Sequence, residues 1–149
     1  MKLELLLRAE ITLAPPQELG QAPLGRRRII PITGGRFRGE RLSGRVLPGG
    51  ADWQILRADG VSQLEARYML ETDDGALVYV RNVGLRHGPP EVLARLAAGE
   101  PVDPSLYYMR TTPSFETGAA KYLWLNKLVC VATGARLKDA VELDVYDVK

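Results

Sequence analysis

The chain has 149 residues and a formal net charge of +2, with 46% hydrophobic and 26% charged residues. These values are ordinary for a globular protein, and they predict a single domain over residues 1–149 with a substantial core. No apolar run approaches the roughly 18 residues of a membrane span, and the opening MKLELLLRAEITL is too charged for a secretion signal. We therefore expect a cytoplasmic protein with no membrane partner.

Alternation with a period of two dominates from the first residues onward. Leu3, Leu5, Leu7 and Ile11 alternate with polar residues, with only Leu6 out of phase, which predicts a half-buried strand. After a proline-rich loop, strand-like segments recur between Gly, Pro and Asp-Gly breaks. They lie at about 28–33, 36–47, 52–58, 61–72, 76–83, 106–112, 127–133 and 139–148. This regular spacing predicts an all-β sandwich or barrel.

Arginines are concentrated between residues 25 and 45, where seven of them face a single acid, Glu40. Such a basic run is able to contact phosphates. However, the segment GRFRGERLSGR alternates its charges with Phe37 and Leu42, as a solvated strand face does, and it lacks the aromatic residues on which bases stack. We expect no specific binding of DNA or RNA.

Two Asp-Gly pairs, Asp59-Gly60 and Asp74-Gly75, predict two-residue hairpins of type I′. In that register Asp52 lies opposite Arg67, and Arg67 opposite Asn82. One sheet face then carries Asp52, Gln54, Glu65, Arg67, Met69 and Asn82. The other, which is more apolar and should point inward, carries Trp53, Ile55, Leu64, Ala66, Tyr68, Leu70, Tyr79 and Arg81. Spacing alone favours an ordinary surface ion pair between Asp52 and Arg67, with a functional carboxylate as the alternative.

One helix is predicted over residues 90–98, in PPEVLARLAAGE, because Pro precedes it, Gly99 follows it, and apolar residues share one face. We interpret it as packing against the barrel. Further on, Pro113 cannot donate to a sheet ladder, so we expect a bulge or bend there before Phe115 and Glu116.

Metal and cofactor chemistry find no support in the sequence. Zinc sites need clustered cysteines and histidines, whereas this chain has one of each, His87 and Cys130, far apart. We interpret Cys130, between valines, as a buried structural thiol, and His87 as an exposed loop residue. The sequence predicts no metal and no cofactor.

Four blocks carry a family resemblance: RRIIPITGGRFRGERLSGRVLPGGADWQILRADG, ARYMLETDDGALVYVRNVG, YYMRTTPSFETGAAKYLWLNKLVCVATG and VELDVYDV. Together they resemble domain-of-unknown-function family 3237, also called uncharacterised protein family 0311, from about Leu3 to Val148. The resemblance implies a closed antiparallel β-barrel of lipocalin-like architecture, with about eight or more strands, often as a homo-oligomer. Function is mostly unassigned in that family, although some relatives are credited with cofactor-free ring closure.

The resemblance also selects the candidate site residues, which are unusual residues at corners and strand ends. They include two carboxylates as general acid or base, an arginine paired with them, and aromatic and polar groups for a small ligand. The catalytic candidates are Asp52, Glu116 and Arg67, and the substrate-binding candidates are Trp53, Tyr68, Arg81, Tyr108, Arg110, Trp124 and Asn126.

Three functions remain open at this stage. The first is cofactor-free acid/base chemistry, such as cyclisation, isomerisation or elimination, on a small, partly aromatic or acidic molecule. The second is a carrier or sensor that binds the same kind of molecule without changing it. The third is a structural oligomeric module in which the arginines pair with acids at subunit contacts. Turnover separates the first two, and a filled barrel would favour the third.

Overall fold

The computed structural model of the protein describes residues 1–149, whose regular structure is almost entirely antiparallel β-sheet. The ten strands are β1 (Leu3–Leu13), β2 (Gln17–Ala22), β3 (Gly25–Arg38), β4 (Ser43–Val46), β5 (Ala51–Leu56), β6 (Ser62–Thr72), β7 (Leu77–His87), β8 (Tyr108–Glu116), β9 (Cys130–Arg136) and β10 (Ala140–Val148). One α-helix, α1 (Pro90–Ala97), follows β7, and 3₁₀-helical segments at Pro104–Leu106 and Ala120–Lys127 flank β8. The helix predicted at 90–98 is confirmed.

The sheet closes on itself because β1 pairs with both β10 and β3. From β1 the wall runs through β10, β9, β8, β7 and β6 to β3, with β4 and β5 lying one after the other between β6 and β3. The result is a closed eight-stranded antiparallel barrel with two additional strands. The predicted all-β barrel is therefore confirmed.

The phase error at Leu6 marks a real irregularity in β1. Leu5 pairs with Tyr146 and Leu7 with Val145, so the register shifts at Leu6. Beyond the shift Leu7 and Ile11 point into the core, whereas Leu5 before it is exposed. A bulge of this kind reverses which alternate residues face the interior.

Both predicted hairpins exist, but their registers differ from the prediction by one residue. Each loop has three residues, because the Gly60 amide donates to the Arg57 carbonyl and the Gly75 amide to the Thr72 carbonyl. Both glycines have positive φ, 85° and 88°, and form the left-handed bulge position of such a loop. A one-residue slip moves every side chain to the other face of a strand.

The slip corrects the predicted pairing of Asp52. Asp52 lies opposite Ala66, and Arg67 lies opposite Ala51 and Arg81, so Asp52 and Arg67 are not partners. The face with Asp52 and Gln54 points into the barrel, and the face with Trp53 points out. The predicted inward face is therefore wrong for β5, although the predicted inward position of Tyr68 on β6 is right.

The predicted bulge at Pro113 is also absent. The ladder between β7 and β8 is continuous from His87–Tyr108 to Tyr79–Glu116, with Pro113 opposite Asn82. Pairing between β8 and β9 ends at Thr111–Ala132. Pro113 therefore lies where β8 has lost its second partner strand, and its missing N–H breaks no ladder bond.

Two apolar clusters occupy the two ends of the barrel interior. The larger one includes Val80, Phe115 and Leu125, the last from the 3₁₀ segment Ala120–Lys127. The smaller one joins Leu64, Tyr107 and Met109 to Val92 of α1, which confirms that the helix packs against the barrel.

Two further sequence predictions meet direct observations. Cys130 is a free, buried thiol, and burial raises its pKa to about 11, as expected of a structural cysteine. Neither α1 nor the 3₁₀ segments has the length and hydropathy of a membrane-crossing helix.

Candidate functional site

A small cavity lies in the middle of the barrel. About 50 Å³ of it is open to the centre of a water-sized sphere, several times the roughly 10–15 Å³ that one bound water requires. Its walls are mostly apolar, with a few polar groups that converge on the space, as in small-molecule sites. The polar and aromatic residues of the lining are Asp52, Gln54, Tyr68, Asn82, Arg86, Thr111 and Arg136.

Asp52, Ala66 and Asn82 form one row across the inner wall, because Asp52 pairs with Ala66 and Ala66 pairs with Asn82. Neighbouring strands lie about 4.8 Å apart, so the Cα atoms of Asp52 and Asn82 are roughly 10 Å apart. Ala66 contributes only a methyl group between them. The row therefore leaves a gap with a carboxylate on one side and an amide on the other.

The Asp52 carboxylate is held at both oxygens. Its Oδ1 accepts the backbone N–H of Glu65 at 2.9 Å, and its Oδ2 accepts Nε2 of Gln54 at 2.7 Å. The Oε1 of Gln54 in turn accepts Nε of Arg28 at 2.9 Å. Because arginine can only donate, this contact fixes which end of the Gln54 amide faces Asp52.

Burial dominates the protonation of Asp52. Desolvation raises the pKa of its carboxyl above the ordinary value of 3.8, against the opposing hydrogen bonds from Gln54 and Glu65. Arg86 and Arg28 also oppose the rise through their charges, but they do not cancel it. A buried carboxyl with a raised pKa holds its proton to higher pH than an exposed aspartate, as a general acid must.

Arg86 is a buried cation without a direct protein partner. Its side chain is buried, with 8% of the residue exposed, and it forms neither a hydrogen bond nor an ion pair with another residue. Desolvation and the nearby charges of Arg28 and Arg136 lower its pKa to about 10, and the charge of Asp52 opposes this decrease. Arg86 and Arg136 line the cavity with Asp52 as its carboxylate, whereas Arg28 lies outside the lining, 3.9 Å from Glu18. A buried charge without a hydrogen-bonded partner is costly.

Two more polar atoms in the cavity wall lack partners. Asn82 Oδ1 and Thr111 Oγ1 are fully buried, in residues that are each only 4% exposed, and neither forms a hydrogen bond. Thr111 lies opposite Gly84, where a Cβ would come within 2.2 Å of the Arg110 carbonyl oxygen and 2.6 Å of the Thr111 methyl. Glycine at this point therefore allows β7 and β8 to approach closely beside Thr111.

The outer face of the same strands holds most of the predicted site residues. Glu65 Oε1 accepts both Arg67, at 2.8 Å, and Arg81, at 3.2 Å, and these two arginines lower the pKa of the Glu65 carboxyl. Trp53 is 44% exposed there. Trp53, Tyr108 and Arg110 line an open external groove that does not connect them with Asp52.

The other candidates lie away from the cavity. Glu116 is exposed at the outer end of β8. The Trp124 ring packs under the guanidinium of Arg41 at 3.5 Å, and Asn126 exchanges hydrogen bonds with the backbone of Thr117. Of the ten predicted site residues, the cavity lining includes Asp52 and Tyr68.

The sequence reasoning missed Arg86, Thr111 and Arg136, and it grouped Gln54 and Asn82 with Asp52 without directing them inward. The signal was present in the two hairpins. A three-residue loop with glycine at its last position places Asp52, Asn82 and Arg86 on the same face as Tyr68. The sequence analysis assumed two-residue loops, which reversed the inward and outward faces predicted for β5 and β7.

The arrangement is suited to two tasks. Arg86 can bind an anionic group, since a guanidinium in a water-poor site pairs strongly with a carboxylate or an enolate. Asp52 can give and take a proton beside it. No three His, Cys, Asp or Glu side chains lie together as ligands of a metal ion would.

Comparisons with known proteins agree with this fold. The family described as "Protein of unknown function (DUF3237)" matches residues 1–148. A UPF0311 protein of Rhodopseudomonas palustris is 54% identical over 129 residues, which cover 87% of this chain and 84% of that protein. The solved structure of a beta-barrel like protein from Acinetobacter baumannii is 50% identical, with a TM-score of 0.87, and covers 99% of this chain and 96% of its own. A hydroalkoxylation enzyme of Penicillium herquei is 26% identical over 147 residues, 99% of this chain and 83% of that enzyme.

Proposed function

The chain belongs to the DUF3237 family, and we propose that its barrel cavity binds a small organic anion and performs cofactor-free acid/base chemistry on it. The observation that carries the proposal is Arg86, a buried cation without a hydrogen-bonded protein partner in a cavity that also holds the half-buried acid Asp52. A fold maintained only for packing would gain stability by replacing such a charge with an apolar residue.

The ligand's charge and shape follow from the lining. The lining carries two guanidinium groups, Arg86 and Arg136, against the single carboxylate of Asp52, so the cavity attracts an anion, and a carboxylate or enolate can accept two N–H groups of Arg86 at once. Ile30, Ile32 and Leu143 form apolar walls, with the Tyr68 ring among them. A flat, partly aromatic acid satisfies both requirements.

Asp52 would act as the proton donor and acceptor. In ring closure, its protonated carboxyl gives a proton to an electron-rich alkene carbon, and a hydroxyl oxygen of the ligand bonds to the neighbouring carbon. The hydroxyl proton then passes to Asp52, which restores the acid, so no other reactant is consumed. The name of the distant Penicillium herquei relative, a hydroalkoxylation enzyme, supports this type of addition.

Binding is tested with benzoate by isothermal titration calorimetry. Wild-type protein should bind benzoate, and Arg86→Met should weaken binding by about a hundredfold or more because it removes the anion's partner. Arg81→Met, which removes a guanidinium from the outer face of the same strand, is the matched control and should bind like wild type. Equal affinities in all three proteins would overturn the proposal.

Turnover is tested with a hydroxybenzoate that carries a dimethylallyl group next to its hydroxyl. Ring closure leaves the mass unchanged, so the product is separated by chromatography, and in heavy water it carries one deuterium on carbon. Asp52→Asn should bind the compound and fail to close the ring. If wild-type protein binds the compound and returns it unchanged, the barrel is a carrier and the catalytic part of the proposal is wrong.

A further inference from the structure

The cavity lining contains polar atoms that a bound anion would leave without a hydrogen-bond donor. Asn82 Oδ1 and Thr111 Oγ1 are buried without partners, and buried polar atoms of folded proteins are almost always hydrogen-bonded. Resting on the proposed function, we infer that the ligand is a hydroxylated acid: its anionic group binds Arg86, and its hydroxyl donates to Asn82 or Thr111.

The three groups lie along one line of the wall. Asn82, Gly84 and Arg86 are successive inward positions of β7, about 7 Å apart from one to the next, and Thr111 lies directly opposite Gly84. The long Arg86 side chain reaches from one end of this line, and the two unpartnered oxygens occupy its middle and far end. A single ring with a carboxylate and a hydroxyl on different carbons spans such a separation.

The direction of the hydrogen bond gives the selectivity. An amide oxygen can only accept, so a ligand oxygen without hydrogen cannot satisfy Asn82 Oδ1. A ligand that reaches this oxygen without donating a hydrogen bond leaves it unsatisfied and loses affinity. The site should therefore discriminate a hydroxyl from a methoxyl group, which have similar shape and differ in the donor.

The test compares benzoate with its meta- and para-hydroxy and its meta- and para-methoxy derivatives by calorimetry. At least one hydroxybenzoate should bind about tenfold tighter than benzoate and than its own methoxy analogue. In Thr111→Val or Asn82→Leu the preference for that hydroxybenzoate, measured as its affinity relative to benzoate in the same variant, should fall below about threefold. Thr112→Val, the outward neighbour on β8, is the matched control and should keep the full preference.

Each result bears on the inference. Equal binding of benzoate and all hydroxybenzoates overturns it and leaves the proposed anion site intact, because benzoate still binds through Arg86. A methoxybenzoate that binds as tightly as the hydroxy compound also overturns the inference. A methoxy oxygen can only accept, so the cavity wall would then have to donate the hydrogen bond to the ligand. If none of the compounds binds, both the inference and the proposed function fail. Thermal unfolding of each variant shows that the fold is retained, and the two variants remove the acceptors separately.

Discussion

Asp52 and Glu65 lie on adjacent strands within one hydrogen bond of each other, yet they belong to different chemical environments. The Glu65 backbone N–H binds Asp52 inside the barrel, while the Glu65 side chain points outward to Arg67 and Arg81. Burial raises the pKa of Asp52, whereas the two arginines lower the pKa of Glu65. The difference arises from alternation along a strand, which places neighbouring residues in water or in the core.

The contrast extends to the arginines. On the outer face Arg67 and Arg81 share the Glu65 carboxylate, so each of these arginines has a protein partner. Inside, Arg86 has no partner, and Asn82 and Thr111 have unmet hydrogen-bonding capacity. Charges that pair with each other need no other explanation, whereas buried polar groups that remain unpaired point to a ligand.

The largest expected effect on stability comes from Arg86. Arg86→Met removes a buried charge that has no hydrogen-bonded or ion-paired partner and keeps most of the side-chain volume, so the free energy of unfolding should rise by about 1–3 kcal/mol. The outward counterpart Arg81→Met should change it by less than about 1 kcal/mol, as is usual for exposed ion pairs. Urea unfolding measures both. If Arg86→Met is less stable than wild type, Arg86 stabilises the folded barrel, and its burial is no evidence for a ligand site.

Gln54 should give the next largest effect. Gln54→Leu leaves Asp52 without a side-chain donor and Arg28 without its acceptor, so it should destabilise the fold by about 1–3 kcal/mol. Gln63→Leu, on the outer face of β6, removes the same group from an exposed position and should be nearly neutral. Equal urea midpoints for Gln54→Leu and Gln63→Leu would contradict the prediction that the Gln54 side chain stabilises the fold through its buried hydrogen bonds.

The two acids should respond to pH with opposite signs. Because the folded pKa of Asp52 lies above 3.8, its favourable contribution is complete below that pH and is lost as pH rises through the folded pKa. The folded pKa of Glu65 lies below 4.5, so its contribution is complete above that pH and is lost as pH falls. Wild type should therefore lose stability relative to Asp52→Asn, and gain it relative to Glu65→Gln, between about pH 3 and pH 7. Chemical unfolding across this range checks both slopes, and parallel slopes would show that Asp52 is not governed by burial.

The fold was predictable because its signals are local and repeated. Period-two alternation and the glycine and proline breaks indicated an all-β sandwich or barrel, the signals at the two ends of α1 indicated its one helix, and the family resemblance implied the barrel. Leu6 shows the limit: it was out of phase in the sequence, but only the structure shows a register shift there. Pro113 shows a second limit of sequence prediction. Whether a proline disturbs a strand depends on whether its position pairs with a second strand, and the point where β8 stops pairing with β9 cannot be read from the local sequence.

The site was harder to predict because a single residue of register decides it. The Asp-Gly signal correctly located both turns, but it does not distinguish a two-residue from a three-residue loop. The three-residue loops place Arg81, predicted to point inward, on the outer face, and they bring Arg86 inside. Asp52 and Tyr68 were both selected through the resemblance, and alternation predicted the inward position of Tyr68. Thr111 and Arg136 come from strands with no hairpin link to β5, so only the closed barrel brings them to Asp52.

The smallest expected effect concerns Glu116, the second carboxylate among the predicted catalytic residues. It is exposed on the outer face of β8, opposite Tyr79 in the ladder, while its neighbour Phe115 points into the core. Glu116→Gln keeps the size of the side chain, so the free energy of unfolding should stay within about 0.5 kcal/mol of wild type. Benzoate affinity and ring closure should also be unchanged, because the cavity lining does not include Glu116. The same calorimetric and chromatographic measurements, made beside Asp52→Asn, check this. If Glu116→Gln lost turnover and Asp52→Asn kept it, the chemistry would belong to the outer surface, and the buried acid of the cavity would be structural.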